Sequence, residues 1–347
     1  MKRTVLAVAI VAAASSTRAH AFWERSELAI PPGLLSADPT AINDAGQVVG
    51  DYMTADWQQR AFLLQPDGAW IDLGTLGGPY ASARALNERG EIVGISAVND
   101  AWEMHAFVWR DGQMIDLGPA ESGANGVNDR GVVVGGSTTP GGFFATAWDG
   151  DATAVFGAFG GCNSSQAYGV NARGQVVGDA SIDGGMHAFL WDARAGLQDL
   201  GTLGGPWSHA QAINDRGDVV VNSDTAVEIW CEEYPGGRSC LYQQRAFFWR
   251  AGQRTVLPDL GGPLAQAVGL NSRGTIAGTA DTTEALWCWE LSCVYRPHAV
   301  LWRDGRLIDL GEAGRWSTAR GINDHGDVLG VSEVAPGVYA PVIWRER

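Results

Sequence analysis

The sequence predicts an all-β fold, and three observations predict it. An aliphatic-Asn-x-x-Gly unit recurs seven times, at Asn43, Asn87, Asn128, Asn171, Asn214, Asn271 and Asn323. A second unit, ending in Trp in all copies but the first, follows each of these, as in His105-Ala106-Phe107-Val108-Trp109. After residue 21 no apolar period of 3.6 residues persists, whereas alternation with a period of two does. The asparagines are 44, 41, 43, 43, 57 and 52 residues apart. A period of this length marks an array of repeated units rather than one large core.

Each repeat supplies four short strands. Strand A is the run of small residues before the Asn, such as Ser208 to Ile213. Ser, Ala or Gly at alternate positions suits a crowded innermost strand. An Asn-x-x-Gly turn leads into strand B, the Val-Val run. Strand C is the His-Ala-Phe-x-Trp run, with full copies at 105–109 and 187–191 and a close one at 298–302. Its aromatic residues are expected to pack neighbouring units together. Strand D leads into Asp-Leu-Gly at Asp72, Asp116, Asp199 and Asp309. Asp-Gly pairs at 67–68, 111–112 and 304–305 predict tight type I′ turns between C and D.

Four antiparallel strands every 41–57 residues predict a β-propeller. The chain stops after a strand C, at Trp344, and counting back from Asn43 it begins in a strand D near Leu28 to Ile30. The expected fold is a seven-bladed β-propeller of four-stranded antiparallel blades. The N-terminal strand D would pair with the C-terminal strands A, B and C to close the ring, which removes free sheet edges. A β-solenoid is the competing fold, but its coils are usually shorter and its ends need no complementary phase.

Residues 1–21 read as a secretory signal. Lys2 and Arg3 precede the apolar run Val5 to Ala14, and Ala19-His20-Ala21 forms a cleavage site. The expected domains are a signal peptide at 1–21 and a single propeller at 22–347, secreted or periplasmic. Removing the signal leaves 21 basic and 39 acidic residues, so the net charge moves from −15 to −18. Such a chain lacks the basic field that nucleic-acid binding needs. No apolar run of about 18 residues follows the signal, so no membrane span is expected. A monomer is expected. Lys2 is the only lysine, which excludes Schiff-base chemistry from the mature chain.

The units His-Ala-Phe-x-Trp, Asp-Leu-Gly-Thr-Leu-Gly-Gly (72–78 and 199–205) and Ile-Asn-x-x-Gly-x-Val-Val-Gly resemble the bacterial extracellular HAF repeat family. The resemblance covers nearly all of the mature chain. It implies a secreted, propeller-like protein and carries no catalytic residue. The His is absent at Arg60, Phe144, Arg245 and Ala340, and this variation points to a structural His.

The connectivity places B–C and D–A connections on one rim, where they are longer and more variable. Function concentrates on such loops. The extra length of repeats five and six lies in their B–C connections, Trp230-Cys231…Cys240-Leu241-Tyr242 and Trp287-Cys288…Cys293-Val294-Tyr295. One disulfide within each is expected, Cys231 with Cys240 and Cys288 with Cys293, because export permits it. A four-thiol zinc site and pairing between the loops are the alternatives. Cys162 has no partner and is expected as a buried free thiol.

Six of the 15 tryptophans belong to strand C. Trp57, Trp102, Trp207, Trp230, Trp287, Trp289 and Trp316 fall on the B–C/D–A rim, joined by Tyr80. Aromatic platforms on an acidic rim suit stacking against sugar rings and also suit cations. Folding down over apolar gaps is the alternative for each. The expected function is therefore binding of an extracellular glycan or related polymer by these eight residues. A polysaccharide lyase or hydrolase using His209, Tyr80, Glu232, Glu233 or Glu290 is one alternative. An envelope or matrix protein-interaction scaffold is another. No Gly-x-Ser-x-Gly, His-Glu-x-x-His or phosphate-loop motif occurs, and the Asn-Asp turns lack the calcium-loop pattern. No catalytic residue, metal or cofactor is assigned.

Overall fold

The computed structural model describes residues 23–118, 121–234, 237–289, 292–312 and 314–347, and the expected signal at 1–21 lies outside them. The chain folds as an all-β propeller. Its one helical element among the described residues is the 3₁₀ turn Phe159–Gly161. Antiparallel groups of four strands span 36–72, 81–116, 122–155, 165–199, 204–256 and 265–309. These are sheets I to VI, with strands A to D in chain order. In sheet VII, Ser317–Ile322, Val328–Ala335 and Val338–Glu346 are joined by the N-terminal strand Trp23–Glu27. A single parallel pairing, Met186 with Trp207, links sheets IV and V.

The N-terminal strand lies a few residues before the Leu28–Ile30 that repeat spacing indicates. Leu28 donates one last bond to Pro341 O at 2.9 Å. Pro31 and Pro32 then follow, and neither has an N–H to extend a ladder. Leu28 turns inward instead, against Ile42, Val48 and Phe62.

The core lies between successive sheets. Val177, Leu190 and Leu200 of sheet IV pack on Val219, Phe247 and Trp249 of sheet V. Leu329 and Ile343 of sheet VII pack on Ile42 and Phe62 of sheet I. The strand C phenylalanines Phe107, Phe189 and Phe247 are wholly buried. Each full burial of this kind contributes roughly 2–3 kcal/mol.

Three repeated polar contacts explain the motifs. The first uses the Ser that opens strand A. Ser122, Ser165, Ser208 and Ser317 are buried, and each Oγ accepts from a strand C N–H of the preceding sheet (Ala106, Ala145, Ala188 and Ala299) at 2.9–3.0 Å. The second uses the strand C His. Its Nδ1 meets the Asp of Asp-Leu-Gly: His105–Asp116 at 2.8 Å, His187–Asp199 at 3.0 Å and His298–Asp309 at 2.9 Å. Where Arg replaces His, the guanidinium keeps the contact, as in Arg245–Asp259 at 2.8 Å and Arg60–Asp72 at 3.8 Å. A donor facing this Asp is what the position requires, so the His is structural.

The third contact joins the A–B turns. Each repeat's Asn sends Nδ2 to the backbone oxygen of the next repeat's Asn. The bonds run from 43 to 87, 128, 171, 214, 271 and 323 at 2.9–3.2 Å, and Asn323 donates to Asn43 O at 3.2 Å. All seven asparagines are buried. Each Oδ1 also accepts N–H groups of its own turn, as Asn128 does from Arg130 and Val132.

The strand B glycine is set by a close approach. Strand A carries a bulge beside it, between Ala83 and Ala85 in sheet II. A Cβ on Gly94 would lie 1.9 Å from Ser82 O, and one on Gly178 equally close to Gln166 O. Of the C–D turns, Asp111-Gly112 and Asp304-Gly305 have both residues at positive φ, as type I′ requires. Asp67-Gly68 does not. Only Gly68 is left-handed there, in a turn closed by Gly68 N to Gln65 O.

Candidate functional site

The long B–C connections of sheets V and VI are ribbons rather than loops. Strand B of sheet V runs Val219–Tyr234 and strand C Gly237–Arg250. In sheet VI the pair is Ile276–Trp289 and Ser292–Arg303. Alternating aliphatic, aromatic and polar residues let both strands continue pairing past the sheet body. The two ribbons share their irregularities. Register shifts at Asp224/Glu228 and Glu228/Trp230 match those at Asp281/Ala285 and Ala285/Trp287.

Each ribbon carries one disulfide, Cys231–Cys240 and Cys288–Cys293, between directly opposed residues with Cα atoms 4.0 Å apart. The four thiols are thereby consumed in pairs, which removes the zinc alternative. Ion pairs brace both ribbons, Arg238–Glu228 at 2.8 Å and Arg296–Glu284 at 2.9 Å. Cys162 is free and half-buried, beside the 3₁₀ turn.

A groove of about 550 Å³ lies between the ribbons. Its walls are Ile229, Leu241 and Tyr242 from one ribbon and Leu286, Val294 and Tyr295 from the other. Trp207 and Trp316 flank it, and Asp224, Gln244 and Asp281 supply polar groups. Trp316 meets the edge of Tyr339 with ring centroids 5.4 Å apart. Burial raises the Asp281 carboxyl to about 6, although the Leu264 N–H and the Arg245 charge pull it down. Burial also raises Asp224, against the Gln244 Nε2 bond of 3.0 Å. Gln266 Nε2 donates in turn to Gln244 Oε1, which extends the network toward strand A of sheet VI. The groove therefore combines flat aromatic faces with a few convergent hydrogen-bonding groups, the usual make-up of a ligand site.

The eight rim aromatics do not form one cluster. Trp207 and Trp316 belong to the groove. Trp230 and Trp287 are exposed on the ribbons but do not line it; their neighbours Ile229 and Leu286 do. Trp289 ends its strand. Trp57, Tyr80 and Trp102 form a separate group on sheets I and II. Trp57 is 77% exposed and Trp102 59%, and both adopt positive φ, 64° and 62°. Each closes an equivalent turn, Trp57 N to Thr54 O and Trp102 N to Asn99 O. The Tyr80 ring lies 5.8 Å from the Trp102 ring, and its hydroxyl accepts from Gln59 Nε2.

The acid–base candidates are dispersed. Glu232 and Glu233 are exposed on the ribbon of sheet V, and Glu290 lies outside the described residues. His209 sits two residues along strand A from Trp207, hence on the same strand face. Asn222 anchors both sides of its amide on Ala267, at 2.9 and 2.7 Å, and its Nδ2 lies 3.3 Å from His209 Nε2. That Nε2 must accept, so the ring proton belongs on Nδ1. Burial lowers the His209 pKa and favours the neutral ring. Across from it, Tyr168 donates to Asp179 Oδ2 at 3.1 Å, and the Tyr168 and His209 ring centroids are 6.1 Å apart. Burial raises Asp179 to about 6. Sequence reasoning missed Tyr168 and Asp179, because both occupy variable positions inside strands A and B.

The sequence matches no protein-family model and no curated protein. Solved structures do match. The β-propeller domain of the Trilobed protease from Pyrococcus furiosus aligns at 12% identity and a TM-score of 0.41, over 91% of this chain and 82% of that one. TolB from Acinetobacter baumannii aligns at 13% and 0.44, over 87% and 81%. The tricorn protease aligns at 12% and 0.39, over 85% of this chain and 28% of its own. No helix among the described residues is long and apolar enough to cross a membrane.

Proposed function

We propose that this chain is an exported seven-bladed β-propeller that binds an extracellular glycan in the groove between its two disulfide-braced ribbons. The groove itself carries the reading: Trp207 and Trp316 flank two carboxylates and two tyrosines. Sugar rings offer apolar faces to aromatic rings and hydroxyls to carboxylates. Closure into a seven-bladed ring is supported by the return of the asparagine bonds from 323 to 43 and by the pairing of Trp23–Glu27 with the last strand. Two disulfides are compatible with an oxidising compartment, which fits a signal at 1–21 and a secreted or periplasmic location. Membership of the HAF repeat family belongs to the same proposal and rests on the repeated motifs.

The test is a glycan array probed with folded chain, followed by Trp207→Ala and Trp316→Ala. Each variant should weaken binding at least tenfold with an unchanged melting temperature, whereas Trp230→Ala and Trp287→Ala should weaken it less. No binding above background on a broad array sinks the proposal. The Tyr168–Asp179 pair facing a neutral His209 favours acid–base catalysis as a second reading. Turnover of a polysaccharide that disappears in both His209→Ala and Asp179→Asn would establish it.

A further inference from the structure

We infer that the groove accommodates two successive units of an uncharged homopolymer, one against each ribbon. This rests on the proposed reading of the groove as a glycan site. The observation behind it is duplication. Sheets V and VI present matching side chains at the same register: Asp224 and Asp281 near the ribbon base, the aliphatic Ile229 and Leu286 at the second bulge, Tyr242 and Tyr295 on the returning strand. Each ribbon is locked in that register by its own cross-strand disulfide and ion pair. A single small ligand would use one half of this set and leave the other idle. A chain of identical units meets the same partners twice, which is how linked contacts gain affinity without new chemistry.

The charge of the groove selects among polymers. Asp224 and Asp281 are both buried, and a carboxylate or sulfate on the ligand would face them at close range. Arg245, whose charge acts on Asp281, is committed: its Nε pairs with Asp259 at 2.8 Å, and its Nη atoms donate to the backbone oxygens of Gln244, Pro263 and Gly262. No Arg or Lys is among the residues that line the groove. The units are therefore neutral, with hydroxyls donating to the two carboxylates and ring faces set against the aromatic residues.

The full chain is titrated with neutral oligosaccharides of one to six units (glucose, mannose and N-acetylglucosamine series) and with oligogalacturonates as the charged counterpart. For the series that binds, affinity should rise at least tenfold from one unit to two and level off by four to six. Oligogalacturonates should bind at least tenfold more weakly. Asp224→Asn and Asp281→Asn should each cost the tetramer a similar factor, about three to ten, and the monomer less than two. Tyr242→Phe and Tyr295→Phe repeat the comparison if an Asp variant misfolds. Equal affinity for monomer and tetramer overturns the two-unit inference while leaving a glycan site standing. The same holds if one Asp variant is silent and its twin abolishes binding. Preference for the galacturonates overturns the neutral assignment. Failure of every oligosaccharide to bind removes the glycan reading itself.

Discussion

Two tryptophans hold a backbone conformation that bulky side chains avoid. Trp57 and Trp102 both sit in the left-handed region, at a cost of the order of 1 kcal/mol each. Neither is buried, so packing does not repay that cost. Trp57→Asn should therefore raise stability by about 1 kcal/mol in chemical denaturation, since Asn tolerates this region. The buried carboxylates give a second prediction. Asp51, Asp179 and Asp281 are each raised to about 6, with burial as the main cause. A raised folded pKa means that their contribution is fully present below about pH 4 and is lost as pH rises through 6. Asp218 runs the other way. Burial alone would raise it, but hydrogen bonds from Arg250, Arg216 and Asn214 outweigh that and hold it near 2. Its contribution is present above about pH 4 and is lost as pH falls through 2. Asp179→Asn should thus stabilise the protein at pH 7.5 by roughly 1–3 kcal/mol and change little at pH 4. Paired thermal melts at the two pH values check the sign.

The motifs were legible as strands because each apolar alternation survives in one sequence, whereas their polar partners lie in other repeats. The small residues of strand A read as crowding. The hydroxyl of Ser165 shows the further reason, since it accepts from Ala145 N at 2.9 Å. Ser165→Ala should cost about 1–3 kcal/mol, because it strands a buried N–H; urea unfolding measures it. The repeat Asn likewise read as turn chemistry, and its side-chain amide proves to bond the next turn as well. Asn128→Ala should cost more than Ser165→Ala, since it strands two turn N–H groups, those of Arg130 and Val132, and also removes the bond to Asn171 O. The cysteine spacing was legible, and so was the pairing within each loop. What spacing could not convey was that the loops are ribbons with matching bulges, which place Ile229 and Leu286, rather than the adjacent Trp230 and Trp287, in the groove.

At the scale of the whole molecule, sheet VII depends on both ends of the chain. Removing Trp23–Glu27 leaves Val338–Glu346 as an unpaired edge, which invites association with another chain. The truncated protein should melt lower and show concentration-dependent oligomers in analytical ultracentrifugation. Rim function was legible only as a list of eight aromatics. The list divides because Trp207 and Trp316 flank the groove between sheets V and VI, whereas Trp57, Tyr80 and Trp102 belong to sheets I and II, and one sequence does not show which side chains share a groove.

The pairing of Trp23 with Glu346 has a practical side. These two residues sit one strand spacing apart, near enough for a short peptide to join them in a chain that starts at Trp23. A chain joined there could be reopened at an exposed turn such as Asp111-Gly112, keeping every strand neighbour while changing which repeat is made first. In the closed ring proposed above only the cyclic order of the repeats matters, so the starting point becomes a free choice for whoever builds sensors or fusions from it.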